Sequence, residues 1–178
     1  PEGLIVLGRD LESSRQVWSS QVGYPGDGDY REFYRDLGYD GQYESLRPYL
    51  HADGVRRNLG IKYHRVTGPG DLGQRALYHR KSALAKAEEH ARHFVQSRQE
   101  QLASLRRTLG QPPIVVAPYD AELFGHWWFE GPHFLDQVIR KTASSQSQFK
   151  LAALSEVLEA YPNPVCLQPA ASSWGEQG

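Results

Sequence analysis

The clearest periodic signal in the sequence is a long amphipathic segment near its centre. Apolar residues recur at spacings of three, four and seven from Leu84 to Leu109, and Lys, Arg, Glu and Gln fill the other face. Gly110 and Pro112 follow directly, as expected where a helix ends. The pattern therefore predicts a long helix that ends at Leu109.

Short apolar runs bounded by turn residues predict strands on both sides of this helix. They lie at residues 4–7, 61–66, 114–117 and 150–154, with a further candidate at 163–168. Two more helices are predicted at residues 132–141 and 155–160. Strands that alternate with helices indicate an α/β fold with mainly parallel strands.

The segment from Glu12 to Tyr49 has neither helical nor strand periodicity. It is rich in aromatic residues, glycine and charge, and its turn formers cluster at residues 25–28. We predict a long ordered loop here. Loops of this length in compact domains tend to be functional, so the segment is a candidate wall of a substrate site.

Composition and charge narrow the class of ligand. With 39% hydrophobic and 23% charged residues, the chain has the composition of a soluble globular protein. Its 20 basic and 21 acidic residues give no electrostatic case for nucleic acid or membrane as a partner, so a neutral polar ligand fits better. The single Cys166 excludes an internal disulfide and agrees with a reducing cytoplasm. We expect a cytoplasmic protein.

The ends of the sequence suggest a piece of a longer protein. The chain contains no Met, opens directly on the strand-like run at residues 4–7, and stops at SSWGEQG without a terminal helix. We interpret it as an internal fragment.

One stretch, residues 119–132, combines the residue types that glycosidic chemistry needs. Asp120, Glu122, His126, Trp127 and Trp128 directly follow an apolar strand and should converge where that strand ends. Paired carboxylates protonate and attack a glycosidic bond, and aromatic rings stack on the apolar faces of sugars. Spacing alone leaves an alternative open, in which the tryptophans fill the core and the aspartate caps a helix.

The same stretch, YDAELFGHWWFEGP, resembles the fourth conserved region of glycoside hydrolase family 57. In that family the aspartate matching Asp120 is the general acid/base. The strings SRQVWSSQVGYPGDGDYREFYRD and GIKYHRVTG resemble the branching-enzyme group of the family, and ASSWGEQG is similar to a segment whose tryptophan, matching Trp174, lies near the substrate cleft.

The resemblance implies a fold and an activity. The fold would be part of an incomplete seven-stranded (β/α) barrel with a helical insertion around residues 73–110, and the family's C-terminal helical domain would be absent from residues 1–178. The activity would be that of a retaining α-glucan transglycosylase that forms α-1,6 branches in glycogen metabolism. A 4-α-glucanotransferase, an α-amylase and a non-catalytic carbohydrate-binding protein remain alternatives. The nucleophile, a glutamate in the family, would precede this chain, so the fragment alone is expected to be inactive.

Further residues allow two interpretations each. Glu122 shares a face with Asp120 on an extended segment, where it either raises the pKa of Asp120 or forms a structural ion pair. His126 either binds a sugar hydroxyl or orients Asp120, or it is a structural residue. Trp18, Tyr24 and Tyr30 in the first loop are either sugar platforms or packing residues.

A metal site is a weaker hypothesis. His90 and His93 are three residues apart on the predicted helix with Glu89 nearby, a spacing that can chelate a metal ion. No further ligand cluster appears in the sequence, and the resembling family needs no metal. We therefore assign these histidines to a solvated helix face and expect no cofactor.

Overall fold

The computed structural model describes residues 5–68, 76–144, 147–162, 165, 166, 168 and 170. Its contacts divide the chain into two compact units, residues 8–150 and residues 1–7 with 151–178. Trp174 lies outside the described residues, and so does half of the candidate strand at 163–168.

The larger unit is built mainly from helices. They are α1 (Leu11–Trp18), α2 (Leu37–Asp40), α3 (Tyr43–Leu46), α4 (Arg80–Leu109) and α5 (Gly131–Thr142). Single 3₁₀ turns lie at Tyr24–Gly26, Arg47–Tyr49 and Ala121–Leu123. The smaller unit contains α6 (Leu154–Ala160). Among the described residues, no helix is both long and apolar enough to cross a membrane.

The long predicted helix is confirmed as α4. It ends where the sequence indicates, because Gly110 adopts a left-handed conformation with φ +67° and its N–H donates to the Arg106 carbonyl. The buried stripe of α4 contains Ala83, Ala87 and Ala91, which let neighbouring segments approach closely. Helix α5, also predicted, packs along α4 and buries its own apolar face.

The predicted strands are the main difference between expectation and structure. In the described part of the chain, residues 5–7, 114–117 and 151–153 are not assigned to strands, residue 154 begins α6, and pairing near 61–66 is limited to isolated bridges Arg31–Arg65 and His64–Leu77. The physical reason is that a segment becomes a strand only when another strand supplies its hydrogen bonds. An apolar run predicts a buried segment but does not supply the partner.

The prediction of a continuous loop over residues 12–49 is wrong at its start and again near its end, where the short helices α2 and α3 lie. Helix α1 occupies Leu11–Trp18, and the Asp10 carboxylate caps it by accepting from the Ser13 N–H at 2.7 Å. Burial by itself would raise the pKa of Asp10. Hydrogen bonds from Ser13 and Gln101 have the larger combined effect, so the pKa of Asp10 is lowered. An aspartate followed by a short helix-forming segment was the signal that the periodicity analysis missed.

The remainder of this segment is ordered by polar contacts to its own backbone. The buried Asp36 carboxylate accepts from the N–H groups of Gly38, Leu59 and Gly60 at 2.8, 2.8 and 3.0 Å. The Arg56 guanidinium donates to the carbonyls of Gly38 and Gly41 at 2.8 and 2.9 Å. Residues 36–60 are therefore held in one conformation by side chains, without a sheet.

Candidate functional site

The backbone that carries Asp120 is anchored to the start of α1. The Asp10 N–H donates to the Val116 carbonyl at 2.8 Å, and the Tyr119 hydroxyl donates to the Ser13 carbonyl at 3.0 Å. Burial raises the pKa of Tyr119 to about 12, so its hydroxyl remains a proton donor throughout the neutral range. The residue before Asp120 is thus fixed by a partly buried hydrogen bond.

After Asp120 the chain folds into a compact loop, residues 120–131. The N–H groups of Trp127 and Trp128 donate to the carbonyls of Glu122 and Leu123 at 3.2 and 2.8 Å. Gly125 provides the reversal, with φ +96° and an N–H that donates to the Trp128 carbonyl at 2.9 Å. This closure buries the side chains of Leu123 and Trp128. The side chains that remain exposed include Asp120, Glu122, His126 and Trp127.

The Asp120 carboxylate is exposed and unused by the fold. Asp120 precedes the 3₁₀ turn Ala121–Leu123, but its side chain makes no capping hydrogen bond. It also forms no ion pair with the residues that the structure describes, and the same holds for the exposed Glu122. The alternative in which Asp120 serves as a helix cap is therefore wrong, and its carboxylate is available to a ligand.

The two adjacent tryptophans have different environments. Trp128 is 1% exposed and packs against Tyr30 and Phe134, with ring centroids 5.3 and 4.9 Å apart. Trp127 is 46% exposed. A ring enclosed on all sides cannot stack on a sugar, so the expectation for Trp128 is corrected to a core residue, whereas Trp127 keeps an accessible surface.

The structure places two aromatic side chains against Trp127. The Phe33 ring lies 4.3 Å from it between centroids at an interplanar angle of 32°, and the His126 ring meets it edge-on at 5.4 Å. Phe33 also contacts His126 at 5.3 Å. The exposed His126 thus lies in an aromatic cluster, which we define as Phe33, His126 and Trp127. Sequence reasoning missed Phe33, whose only signal was its place in the REFYRD string.

The aromatic residues of the first loop also separate into two kinds. Trp18, at the end of α1, is 40% exposed and remains a candidate sugar platform. Tyr24 and Tyr30 are 8% and 0% exposed, so packing, the alternative interpretation, is the correct one for both. Their hydroxyls pair with the Nδ1 atoms of His93 and His90 at 2.7 and 2.8 Å.

These contacts also revise the interpretation of the histidines. His90 is partly buried and stacks on the Tyr24 ring at 4.5 Å, so it does not belong to a solvated face. Burial lowers the pKa of His90, which favours the neutral ring that can accept from Tyr30. Within the described ranges, no group of three or more His, Cys, Asp or Glu side chains could hold a metal ion. The pair anchors the first loop to α4.

No protein-family model matches the chain, but several curated proteins do. It is 37% identical over 157 residues to the 1,4-alpha-glucan branching enzyme of Thermococcus kodakarensis, with 88% of this chain and 20% of that protein covered. It is 35% identical over 177 residues to a probable 1,4-alpha-glucan branching enzyme of Mycobacterium tuberculosis, with 97% and 29% covered. The chain thus spans less than a third of the length of these relatives.

Solved structures of an alpha-amylase and of two branching enzymes also match the chain. The alpha-amylase AmyC from Thermotoga maritima matches with a TM-score of 0.84 and 48% identity, over 94% of this chain and 32% of that one. The GH57-type branching enzyme from Pyrococcus horikoshii matches with a TM-score of 0.74 and 37% identity, over 94% and 27%. A GH57 branching enzyme from Thermococcus kodakaraensis, in complex with glucose and additives, gives 0.68 and 36% over 88% and 25%. Its similarity to these enzymes over most of its length establishes that the chain belongs to glycoside hydrolase family 57.

Proposed function

We propose that the full-length protein is a 1,4-α-glucan branching enzyme in which Asp120 is the general acid/base. The observation that carries the proposal is the exposed Asp120 carboxylate, which has no structural partner among the described residues although its backbone is anchored on both sides. A carboxyl that the fold does not use, on a loop with an exposed tryptophan, suits a site for a polar, uncharged polymer.

The proposed reaction retains the anomeric configuration through two displacements. Asp120 first protonates the departing glycosidic oxygen while a glutamate outside this chain attacks the anomeric carbon and forms a glycosyl-enzyme. The ionised Asp120 then removes the proton from the 6-hydroxyl of an acceptor glucan, which attacks the same carbon and releases the glutamate. One α-1,4 linkage is broken and one α-1,6 linkage is formed.

The relatives support branching, and one of them supports a second candidate. The matching curated proteins are named as branching enzymes, and so are two of the solved structures. The enzyme with the TM-score of 0.84 is an alpha-amylase, which favours hydrolysis as the second candidate. The two activities share the glycosyl-enzyme and differ in whether water or a sugar hydroxyl accepts it.

The finer architecture is part of the same proposal. Residues 1–178 would form the C-terminal part of the family's seven-stranded (β/α) barrel, with α4 in the helical insertion. The segments near 5–7 and 114–117, apolar and not assigned to strands, support this placement because they suit strands whose neighbours lie elsewhere in the full-length protein. We further propose a cytoplasmic enzyme of α-glucan metabolism.

Linkage analysis of the product tests the function. The full-length protein is incubated with amylose, and the product is treated with an α-1,6-specific debranching enzyme before chain-length analysis. Branching predicts a loss of iodine absorbance with few new reducing ends, and short chains that appear only after debranching. Reducing ends released without new α-1,6 linkages would replace branching with hydrolysis.

Trp127 and Trp128 form a matched pair for testing the sugar-binding surface. Trp127→Ala should raise the KM for maltooligosaccharides about 3- to 10-fold, because a lost aromatic contact is worth roughly 0.5–1.5 kcal/mol. Trp128→Ala should instead lower the free energy of unfolding by about 3–5 kcal/mol, since it empties a buried ring site. Steady-state kinetics and urea unfolding separate the two effects, and equal KM changes in both variants would contradict the assignment of Trp127.

A further inference from the structure

Glu130 is a buried carboxyl that the proposed mechanism does not use. It is 1% exposed and lies just before α5, yet its side chain makes no capping hydrogen bond. Its Oε1 atom accepts from the backbone N–H of Arg31 at 3.3 Å. Its Oε2 atom is also buried and makes no hydrogen bond to the described residues. The described hydrogen bond of this carboxyl therefore joins two segments that are distant in sequence, and the Tyr78 hydroxyl lies close enough to lower the pKa of Glu130.

The environment of Glu130 indicates that burying its carboxyl group lowers the stability of the fold. Burial raises its pKa, and the nearby Tyr78 and Arg31 offset only part of that effect. The Arg31 guanidinium does not form an ion pair with it and lies instead over the Phe129 ring, 3.5 Å from the centroid. A buried carboxyl with an unsatisfied oxygen costs stability relative to an apolar side chain. Glu130 is therefore better explained as a residue that positions its neighbours than as one that stabilises the fold.

Both contacts lie next to the aromatic cluster. Arg31 precedes Phe33 by two residues, and Glu130 follows Trp127 by three. Residues 31–33 form a short segment that we call the Phe33 strip. The Glu130–Arg31 hydrogen bond and the Arg31–Phe129 stacking connect this strip to the loop that carries Trp127.

The other side of the Phe33 strip is fixed as well. The Glu32 N–H donates to the His64 carbonyl at 2.9 Å, and the Lys62 ammonium donates to the Phe33 carbonyl. On the side that faces the loop, the strip has one hydrogen bond to residues 127–130 among those described, and it is the bond from the Arg31 N–H to Glu130. Loss of that bond would remove this polar link and loosen the strip beside Trp127, although the packing of Tyr30 on Trp128 and of Arg31 on Phe129 would remain.

We propose that Glu130 is a positioning residue that holds Phe33 against Trp127, so that the aromatic cluster presents one continuous surface to an α-glucan chain. The proposal rests on the proposed function, because it assumes that Trp127 contacts glucan. Phe33 is partly buried and Trp127 is 46% exposed, so the pair offers an apolar face beside the exposed His126, whose ring nitrogens are able to bind a sugar hydroxyl. Such a face matches the apolar side of glucose units.

The test combines two Glu130 variants with the Trp127→Ala background in the full-length protein, using maltoheptaose as substrate. Glu130→Ala should raise KM about 3- to 10-fold while kcat changes less than about twofold, because binding is altered and proton transfer is not. Glu130→Gln keeps an oxygen that can accept from Arg31 and should restore the wild-type KM. In the Trp127→Ala background, Glu130→Ala should raise KM no further, since the surface is already lost.

Two results would overturn the proposal. One is an equal KM increase in both backgrounds, and the other is a parallel loss of kcat, since each would show a general structural effect. If Glu130→Ala does not fold, Glu130→Leu also removes the acceptor for the Arg31 N–H while it fills most of the buried volume, and its KM increase should likewise vanish in the Trp127→Ala background.

A crystal structure of the full-length Glu130→Ala protein, or of Glu130→Leu in its place, gives a readout that needs no substrate. A Phe33 ring displaced from Trp127 supports the positioning role even if the protein does not act on α-glucans. An unchanged 4.3 Å stacking of the two rings refutes it, whatever the enzyme's activity.

Discussion

Replacing Asp120 by Asn in the full-length protein should lower kcat on α-glucan by roughly 10²–10⁴-fold, the usual contribution of general acid–base catalysis. The amide has nearly the same volume but can neither donate nor accept the catalytic proton. Binding should persist, because the aromatic cluster is unchanged. Steady-state kinetics with amylose gives the loss, and the KM for a maltooligosaccharide shows whether binding persists.

A substrate with a good leaving group tests the two halves of the role of Asp120. An aryl maltooligosaccharide needs little protonation, so the Asn variant should release one equivalent of phenol rapidly and then stall, because the second step lacks its base. The exposed Glu122 provides the matched control, and Glu122→Gln should keep kcat within a few-fold of wild type. Near-normal turnover of glucan by Asp120→Asn would remove Asp120 from the mechanism and move the acid role to Glu122 or beyond this chain.

Asp36→Ala should cost as much stability as the loss of the buried Trp128 ring. The substitution leaves three backbone N–H groups without their acceptor, one of them on the buried Gly38, and should lower the free energy of unfolding by about 3–5 kcal/mol. Urea unfolding of the full-length protein, followed by circular dichroism, measures the loss.

Two control variants sharpen this measurement. Asp36→Asn retains one side-chain oxygen and should lose less than Asp36→Ala. Glu44→Ala removes a carboxylate from the same region, but that side chain is 81% exposed and pairs weakly with Arg47 at 3.8 Å, so the change should stay within about 0.5 kcal/mol. Equal losses for Asp36→Ala and Glu44→Ala would contradict the structural role of Asp36.

The sequence predicts those elements whose determinants are local. Helix α4 carries its apolar spacing and its glycine stop within its own residues, so its existence and its end could be read directly. The apolar segment 114–117 was recognisable as special, but its assignment to a strand depends on hydrogen-bond partners that no local pattern contains. Helix α1 was missed because eight residues are too short for a periodic signal.

The candidate site was predictable only in part for a similar reason. Asp120 could be singled out because it follows an apolar run and lies in a recognisable string. No periodicity could distinguish Trp127 from Trp128, since the reversal at Gly125 sends neighbouring side chains in opposite directions. Phe33 joins Trp127 through the tertiary fold, and the contact leaves no trace in the spacing of residues.

The alanine stripe of α4 has a consequence for where this chain tolerates substitutions. Ala83, Ala87 and Ala91 are each 0% exposed, whereas most positions on the opposite side of the same helix face solvent. Larger side chains on the stripe would force α4 away from its neighbours, including the anchors of the first loop, whereas the outer side tolerates almost any good helix former. Substitutions in this chain should therefore be tolerated mainly on one half of the helix circumference, and that half is where altered charge is expected to disturb the packing of residues 8–150 least.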